Sequence, residues 1–363
     1  MPKKTIAIDA RLIGQKNTGD TSYWTGLVRA LAKTDSDFLY LLFSNTPQPA
    51  EVPDSDKFQW IEMHSSRDRW WSLLRFPLAA RRLRASAIHV QYNLSPLVGH
   101  GGITTVHDVS FYADPTWFRP QDRLILQRMV PSSCRRAEKV ITVSEFSKAE
   151  ILKNISGLGD KVAVTHNACG DDVQRMGTDY AQSMIEQELG FQGPFLLAVG
   201  TRWPRKNLQL AMNAVKLLPD SFPHKLLLTG KEGWGEEELN DRVVPVGYVS
   251  RELLNALYSS ADAYLAPAHY EGFGITLLEA FRCGCPVLAS SNGAHREAGG
   301  AAPIYGADWT PETWAKQLAD LLSSDSSKLQ EVRQRGFEQE GKFSWARCAT
   351  QTEQIYKEVI ANN

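Results

Sequence analysis

Several features that mark membrane, secreted or nucleic-acid-binding proteins are missing from this sequence of 363 residues. It has only five cysteines and no Cys-x-x-Cys pair, which favours a reducing compartment over a disulfide framework. No apolar run approaches the roughly 18 consecutive positions that a membrane-spanning helix needs. The chain begins MPKKTIAIDARL, without the apolar stretch of a signal peptide, so we expect a cytoplasmic protein.

An excess of charge of either sign is also missing. Lysine and arginine total 40, aspartate and glutamate total 41, and the formal net charge is −1. Because nucleic-acid-binding proteins carry a basic surface, nucleic acid is not an expected partner. The dinucleotide-binding fingerprint G-x-G-x-x-G does not occur either, which disfavours a NAD-dependent dehydrogenase.

Short apolar runs alternate with helix-like stretches throughout the chain. Those in the first half are TIAIDA (5–10), FLYLLF (38–43), AIHVQY (87–92), GITTVHD (102–108) and KVITVS (139–144). Those in the second half are FLLAVG (195–200), KLLLTG (225–230), RVVPVG (242–247), AYLAP (263–267) and PVLAS (286–290). Strands that alternate with helices predict parallel sheets with helices on both faces.

The length of the chain and a polar break predict two domains. A chain of 363 residues exceeds what one core ordinarily supports, and segment 170–193 has no strand-like run and is interpreted as the approach to a linker. We therefore predict an α/β protein with two doubly wound parallel-sheet domains, 1–175 and 192–344, facing each other across a cleft. Ligands of such sheets bind at the carboxyl ends of the strands, so the loops there are the candidate sites.

The loop after AYLAP leads into a helix and carries two carboxylates, Glu271 and Glu279. Thr276 and Glu279 have the spacing of a capping box, which would make Glu279 purely structural. Gly272 and Gly274 instead allow a ligand to approach the backbone, and the helix that follows would offer its positive end to an anion. Phosphate bound beside a carboxylate that holds hydroxyl groups describes a nucleotide-sugar.

The loop after FLLAVG reads TRWPRKN and brings together Arg202, Arg205 and Lys206. A solvated basic turn is one interpretation. The other is a site for a diphosphate leaving group, which gains negative charge as its bond breaks and which arginine and lysine can stabilise. We favour the second interpretation.

In the first half, the strand-like run TTVHDVSF ends with His107. A histidine at such a position is either a hydrogen-bonded structural residue or a catalytic one, and the residues alone leave both open. The loop IDARLIGQKNTGDTSYW carries Gly14 and Gly19, which could simply be turn residues.

Five stretches resemble, in their order, the retaining nucleotide-sugar-dependent glycosyltransferases of the GT-B fold that carry a Glu-x7-Glu signature (glycosyltransferase family four, group 1). They are TVHDVSF, VITVSEFSK, AVGTRWPRKNL, GYVSRELLNALYSSADAYLAP and YEGFGITLLEAFRCGCPV. The resemblance implies two Rossmann-like domains, an acceptor-side first domain completed by a C-terminal helix at about 345–363 and a second domain that binds the nucleotide-sugar. It also implies transfer of a mannose- or glucose-type hexose to a saccharide or lipid-linked saccharide, in polysaccharide or glycoconjugate assembly.

The same resemblance implies a role for each site residue. Glu271 matches the glutamate beside the donor sugar, and Glu279 matches the glutamate that holds the ribose. Arg205 and Lys206 match the basic pair on the diphosphate, and His107 matches a histidine near the donor sugar and acceptor. The resemblance implies three further groups of donor contacts. The base-contacting loop supplies Tyr248 and Val249, and the first domain supplies Gly19. The turn between the glutamates supplies Gly272, Phe273, Gly274, Ile275, Thr276 and Leu277.

The resemblance implies no metal and no resident cofactor, since the nucleotide-sugar, GDP-mannose or UDP-glucose, is a substrate. Two literal D-x-D matches, at 35–37 and 54–56, are expected to be solvated turns. Thr21 stands where the family has a second glycine, and its side chain is expected to crowd a phosphate or the acceptor. The alternatives are a nucleotide-sugar epimerase, which is expected to lack the Glu-x7-Glu turn, and a non-catalytic nucleotide-sugar-binding subunit, against which the retained charged residues argue.

The segment 66–86 contains six arginines and one aspartate, with aromatic and aliphatic residues interleaved. Some members of the family dock on membranes through such a helix to reach lipid-linked acceptors. The other interpretation, which we favour, is an amphipathic helix with Trp70 and Trp71 packed on the first sheet. Peripheral contact with the inner face of the membrane through this segment stays open.

Overall fold

The computed structural model describes residues 3–15, 19–65, 70–233 and 238–362. The chain divides into two units, Met1–Ala168 with Ser344–Asn363, and Cys169–Phe343. Each unit contains one parallel sheet and its own helices. This is the α/β organisation that the alternation of strands and helices predicts.

The first unit has a seven-stranded parallel sheet with strand order β3-β2-β1-β4-β5-β6-β7. Its strands are β1 Thr5–Asp9, β2 Leu39–Ser44, β3 Phe58–Glu62, β4 Ala87–Gln91, β5 Gly102–Thr105, β6 Lys139–Thr142 and β7 Val162–Val164. The strands read as nearly continuous apolar runs because both faces of a parallel sheet are covered. The strand order reverses between β1 and β4, which creates a crevice at the carboxyl ends of these strands.

The helices of the first unit include the C-terminal helix of the chain. They are Gly19–Leu31, Phe76–Arg82 after a π-helical turn Trp71–Arg75, Ser110–Ala113, Pro120–Arg136, Glu145–Asn154 and Trp345–Ala361, with 3-10 turns Pro115–Trp117 and Gly159–Lys161. The C-terminal helix packs against Gly19–Leu31, where a Cβ on Gly26 would lie 2.2 Å from the Trp345 ring. The Glu353 carboxylate accepts a 2.6 Å hydrogen bond from the Tyr40 hydroxyl and so ties this helix to β2.

The second unit has a six-stranded parallel sheet with strand order β10-β9-β8-β11-β12-β13. Its strands are β8 Phe195–Val199, β9 Lys225–Thr229, β10 Val243–Gly247, β11 Ala263–Ala266, β12 Val287–Ala289 and β13 Ile304–Tyr305. Its helices are Thr178–Leu189, Leu208–Lys216 after a 3-10 turn Pro204–Lys206, Arg251–Ser260, Ile275–Cys283, Gly293–Gly299, Pro311–Leu322 and Ser326–Glu340. Here the strand order reverses between β8 and β11.

All ten strands predicted from the sequence are present, and β3, β7 and β13 are additional. The segment 170–193, interpreted as the approach to a linker, contains the helix Thr178–Leu189. Ala181 and Ile185 of this helix are buried because it packs on the helix Arg251–Ser260. The segment directly follows the boundary between the two units at Ala168 and Cys169, contains no strand, and its helix is a packed part of the second unit.

The arginine-rich segment has one buried and one exposed tryptophan. The Trp71 side chain is fully buried, stacks on Phe76 with 5.1 Å between ring centroids and donates a 3.1 Å hydrogen bond to the Met63 carbonyl. Trp70 is 55% exposed, so the prediction that both tryptophans pack on the sheet is wrong for Trp70. Residues 66–69 of the segment lie outside the described residues. In the described ranges, no helix is both long and apolar enough to span a bilayer.

Candidate functional site

Two loops meet at the point where the strand order of the second sheet reverses. The loop after β8 carries Arg205 and Lys206, and the loop after β11 carries Glu271. Because β8 and β11 are paired and parallel, both loops leave the same edge of the sheet. The two loops are joined by a 2.8 Å hydrogen bond from the His269 amide to the Arg205 carbonyl.

The side chains of Arg205, Lys206 and Glu271 form one ion cluster. Arg205 Nη1 donates to Glu271 Oε2 at 2.8 Å and to the Tyr270 carbonyl at 3.0 Å, and Lys206 Nζ pairs with Glu271 Oε1. The three side chains are only 14%, 17% and 12% exposed, respectively. Burial alone would raise the pKa of Glu271, but Lys206 and Arg205 outweigh it and lower the pKa to about 2. Two cations and one carboxylate leave the cluster with one net positive charge.

The backbone of the β8 loop holds the two cations in place. Gly200 directly follows the strand at φ +132°, a region that L side chains avoid, and the Lys206 side chain lies 3.5 Å from where a Gly200 Cβ would be. A 3-10 turn, Pro204–Lys206, follows, and Asn207 at φ 50° begins the next helix. The two cations therefore sit on a tight turn rather than on an extended loop.

The helix after the β11 loop, Ile275–Cys283, begins at a glycine. Gly274 is its N-cap at φ +106°. A Cβ at this position would lie 3.1 Å from the His295 ring and 3.1 Å from the Leu277 side chain. No side chain caps this helix. A capping box needs its threonine at the N-cap, whereas Thr276 is already inside the helix, so the capping-box interpretation of Glu279 is wrong. The positive end of the helix lies next to the loop that carries Glu271.

Glu279 instead bonds to a neighbouring helix. It is 5% exposed and accepts hydrogen bonds from Arg251 Nη1 at 2.9 Å and from the Tyr258 hydroxyl at 3.3 Å. Arg251 begins the helix that directly follows Tyr248 and Val249. The structure therefore links Glu279 to the loop that the sequence assigns to the nucleotide base, of which Tyr248 is 47% exposed.

His295 is a site residue that the sequence analysis missed. It lies after β12, is 1% exposed, and its Nδ1 is 3.0 Å from Ser290 Oγ. Burial lowers the pKa of His295 to about 4, although the charge of Glu271 acts in the opposite direction. The ring is therefore neutral, and it lies close enough to Glu271 and Lys206 for their charges to affect its pKa. The glycine-bearing loop SSNGAH after a predicted strand could have pointed to it.

His107 lies in the first unit, just after β5. It is 7% exposed, its Nε2 is 3.6 Å from Asp20 Oδ1, and the Tyr23 ring meets it edge-on at 4.9 Å. Burial lowers the pKa of His107, although Asp20 and Asp108 act in the opposite direction. Nε2 has no hydrogen-bond partner among the described residues. His107 is therefore a neutral, buried ring whose Nε2 lies beside the Asp20 carboxylate.

The first unit also contains a cavity of about 410 Å³ at the carboxyl ends of β1, β2 and β4. Gly19, at the start of the helix Gly19–Leu31, has nothing within 4 Å of where its Cβ would be. Thr21 is 2% exposed, so its side chain is buried within the unit. The crowding of a phosphate or the acceptor by Thr21 stays a prediction.

The remaining predicted donor contacts differ in exposure. Gly272, Phe273 and Leu277 are buried, whereas Ile275 and Thr276 are partly exposed. The aspartates of both D-x-D matches are exposed and lie in loops, as the sequence predicts. Within the ranges that the structure describes, no group of three or more histidine, cysteine or acidic residues could hold a metal ion.

Comparison with known proteins identifies the family. Residues 182–339 match the family model "Glycosyl transferases group 1", and residues 19–172 match "Glycosyltransferase Family 4". The O-antigen chain mannosyltransferase B of Escherichia coli is 32% identical over 268 residues, which cover 70% of each chain.

Solved structures share the fold over nearly the whole chain. The sucrose-phosphate synthase of Thermosynechococcus elongatus superposes with a TM-score of 0.77 at 21% identity, covering 99% of this chain and 100% of that one. The Anabaena protein HepE, solved in complex with UDP and glucose, gives 0.71 at 16% identity and covers 98% and 100%. The chain therefore belongs to the group 1 family of glycosyl transferases and is a glycosyltransferase with the GT-B fold.

Proposed function

We propose that this protein is a retaining, metal-independent hexosyltransferase that uses a nucleotide diphosphate sugar. The observation that carries the proposal is the buried Arg205–Lys206–Glu271 cluster at the strand-order reversal of the second sheet. GDP-mannose is the first donor to test and UDP-glucose the second. The likeness to the E. coli mannosyltransferase supports mannose, and the binding of UDP and glucose by HepE supports a nucleotide-sugar.

Each charged group has a proposed task at the donor. Arg205 and Lys206 stabilise the diphosphate, whose negative charge grows as the glycosidic bond breaks. The first-turn amides of the helix Ile275–Cys283 suit the phosphate or sugar oxygens, apart from the Leu277 amide, which donates to the Gly274 carbonyl at 3.0 Å. Glu271, ionised because the pKa is about 2, holds sugar hydroxyls. Glu279 holds the ribose hydroxyls.

The proposed reaction keeps the anomeric configuration by a same-face route. The acceptor hydroxyl oxygen forms a bond to the anomeric carbon on the face from which the diphosphate oxygen departs. The hydroxyl proton passes to the departing phosphate oxygen, which takes the electron pair of the broken bond. No covalent nucleophile is needed. His107, neutral because burial lowers its pKa, serves as a hydrogen-bond partner near the sugar and acceptor.

The proposed acceptor is a saccharide or a lipid-linked saccharide, and the product belongs to a polysaccharide or glycoconjugate. For a lipid-linked acceptor, the proposal includes peripheral contact with an anionic membrane surface from the cytoplasmic side. The face that suits this contact combines exposed apolar and basic side chains, namely Trp70, Leu78, Leu83, Arg75, Arg81 and Arg82. Anionic lipids attract such a surface, and sedimentation with anionic liposomes that is reversed by salt tests it.

A thermal-shift screen against GDP, UDP, ADP and their sugars, followed by analysis of the product anomer, tests the proposal. A nucleotide at 100 times its Kd adds about 2.7 kcal/mol of stability, so the matching nucleotide is expected to raise the melting temperature. Transfer to a mannoside or glucoside acceptor with unchanged anomeric configuration supports the proposal, and an inverted product contradicts it. Release of nucleotide and a sugar epimer without acceptor would indicate an epimerase, and binding without turnover a non-catalytic subunit.

A further inference from the structure

The cavity of the first unit has a composition that points to the chemistry of the acceptor. Its volume of about 410 Å³ is within the range of small-molecule sites. It is lined by residues at the carboxyl ends of three strands, Asp9 at the end of β1, Asn45 after β2 and Gln91 at the end of β4. This is where a doubly wound sheet binds its ligand.

The arginine of the cavity is already neutralised. Arg11 Nη2 lies 2.8 Å from Asp9 Oδ2 and its Nε lies 3.0 Å from Asp9 Oδ1, a bidentate pair. Nη2 also donates to Ser72 Oγ at 2.6 Å, and the guanidinium lies 4.2 Å from the Trp71 ring centroid. Asp20 lines the same cavity. Among the described lining residues, two carboxylates therefore face one paired cation, which disfavours a phosphate group.

Two amide side chains that line the cavity each have an oxygen that accepts no hydrogen bond from the described residues. Asn45 Oδ1 and Gln91 Oε1 are buried and have no hydrogen-bond partner among the described residues. Gln91 Nε2 is engaged, because it donates to the Asp20 carbonyl at 3.2 Å. A buried acceptor without a partner is costly, and hydroxyl groups are donors that can satisfy both oxygens.

The same cavity offers apolar and aromatic surface beside these polar groups. Leu73 and Tyr92, both partly exposed, line it, and the Tyr92 ring lies 5.7 Å from the His107 ring. A sugar ring presents hydroxyl groups at its edge and C–H groups on its faces, so it matches a site that combines both kinds of surface. Tyr92 connects this cavity to the histidine of the proposed reaction.

We propose that this cavity binds an uncharged sugar residue of the acceptor through Asn45 and Gln91, and that the Asp9–Arg11 pair selects against acceptors carrying a phosphate there. The inference rests on the proposed function and adds the substrate class of its acceptor side. It assigns specificity to residues that lie outside the donor-binding loops of the second unit.

Equilibrium binding of methyl α-D-mannopyranoside and of its 6-phosphate, followed by NMR titration, tests the inference without requiring turnover. The neutral glycoside is expected to bind at least about tenfold more tightly than the phosphate. Gln91→Leu and Asn45→Leu are each expected to weaken neutral-glycoside binding at least about fivefold. Gln59→Leu is the matched control, because Gln59 is exposed on β3 and is expected to leave binding unchanged.

A specificity variant completes the test. Asp9→Asn removes the counter-charge of Arg11, so the 6-phosphate is expected to gain affinity relative to the neutral glycoside. Tighter binding of the phosphate by the wild type, or unchanged glycoside binding in both Gln91→Leu and Asn45→Leu, would overturn the inference. If the wild type binds the glycoside but transfers no sugar from any nucleotide-sugar, the proposed function fails while the binding assay still decides the cavity's preference.

Discussion

Lys206 and Glu271 are 65 positions apart in the sequence, yet their side chains are ion-paired where the strand order of the second sheet reverses. Arg205 binds the second oxygen of the same carboxylate at 2.8 Å. One carboxylate thus fixes both cations of the basic loop in a mostly buried position. Charges that are oriented in advance stabilise a transition state without the cost of reorganising during the reaction.

Lys206→Ala is expected to lower kcat at least about a hundredfold, the scale for losing one oriented stabiliser of developing charge. The control is Lys216→Ala, since Lys216 is exposed at the end of the adjoining helix. Initial rates at saturating donor and acceptor measure the effect. A kcat that Lys206→Ala leaves unchanged would make the basic loop an ordinary solvated turn.

Transfer activity is expected to survive EDTA. In the proposed function, Arg205, Lys206 and the positive end of the helix Ile275–Cys283 stabilise the charge of the diphosphate, which is the task that a divalent metal performs in other transferases. The measurement is the transfer rate after exhaustive chelation. Complete loss of activity, restored by manganese, would contradict this expectation.

Truncation of the two neighbouring tryptophans is expected to lower the free energy of unfolding by very different amounts. Trp71 is fully buried and stacked on Phe76, so Trp71→Ala should lower the free energy of unfolding by about 3–5 kcal/mol. Trp70 is 55% exposed, so Trp70→Ala should change it by no more than about 0.5 kcal/mol. Urea unfolding of both variants decides it. Equal effects would mean that the segment packs differently from the structure.

Stability is expected to fall as the pH decreases from about 6.5 towards 4. Burial, with His107 nearby, lowers the pKa of His89 from 6.5 to about 3, and burial lowers that of His295 to about 4. Below pH 6.5 the unfolded chain therefore binds protons that the folded chain does not, and each such histidine costs about 1.4 kcal/mol per pH unit. Glu271 lowers the stability further only below about pH 4.5. There the unfolded chain protonates this carboxylate, whereas the folded chain keeps it ionised because its pKa is about 2.

Urea unfolding at several pH values between 4 and 7 checks this. His89→Gln should show a shallower dependence of the free energy of unfolding on pH. His64→Gln, a change at a histidine whose side chain is 82% exposed, should keep the wild-type slope. If His89→Gln and wild type have the same slope, His89 is not the neutral buried group described above.

The sheets could be predicted from the sequence because central parallel strands read as continuous apolar runs. The strands that were missed lack that signal. β3 is partly exposed along its length, and β7 and β13 have only three and two residues. The helix Thr178–Leu189 was missed because only two of its side chains, Ala181 and Ile185, are buried.

The candidate site was predictable in its residues but not in its contacts. Both loops could be chosen because they follow strands, which is where doubly wound sheets bind ligands. The partners of Glu279 lie 28 and 21 positions away, at Arg251 and Tyr258, and no local pattern marks them. The capping-box interpretation failed because it assumed a helix start at Thr276, whereas Gly274 already supplies the left-handed N-cap.

In the proposed function, the second unit holds the nucleotide diphosphate, with Glu279 on the ribose and Glu271 on the sugar. A ribose contact is similar in the ground state and the transition state, so losing it mainly weakens donor binding. A contact with the reacting sugar strengthens as positive charge grows at the anomeric carbon, so losing it mainly lowers kcat.

The most direct test is calorimetric titration of the free nucleoside diphosphate into Glu279→Gln and Glu271→Gln, with melting temperatures as the check on folding. Glu279→Gln should weaken nucleotide binding about tenfold or more, since a hydrogen bond to a charged group contributes about 1.5–3 kcal/mol. Glu271→Gln should bind the nucleotide at least as tightly as the wild type, because it relieves the cluster of one negative charge, while its transfer rate falls. Wild-type affinity in both variants would remove Glu279 from the site and contradict the account.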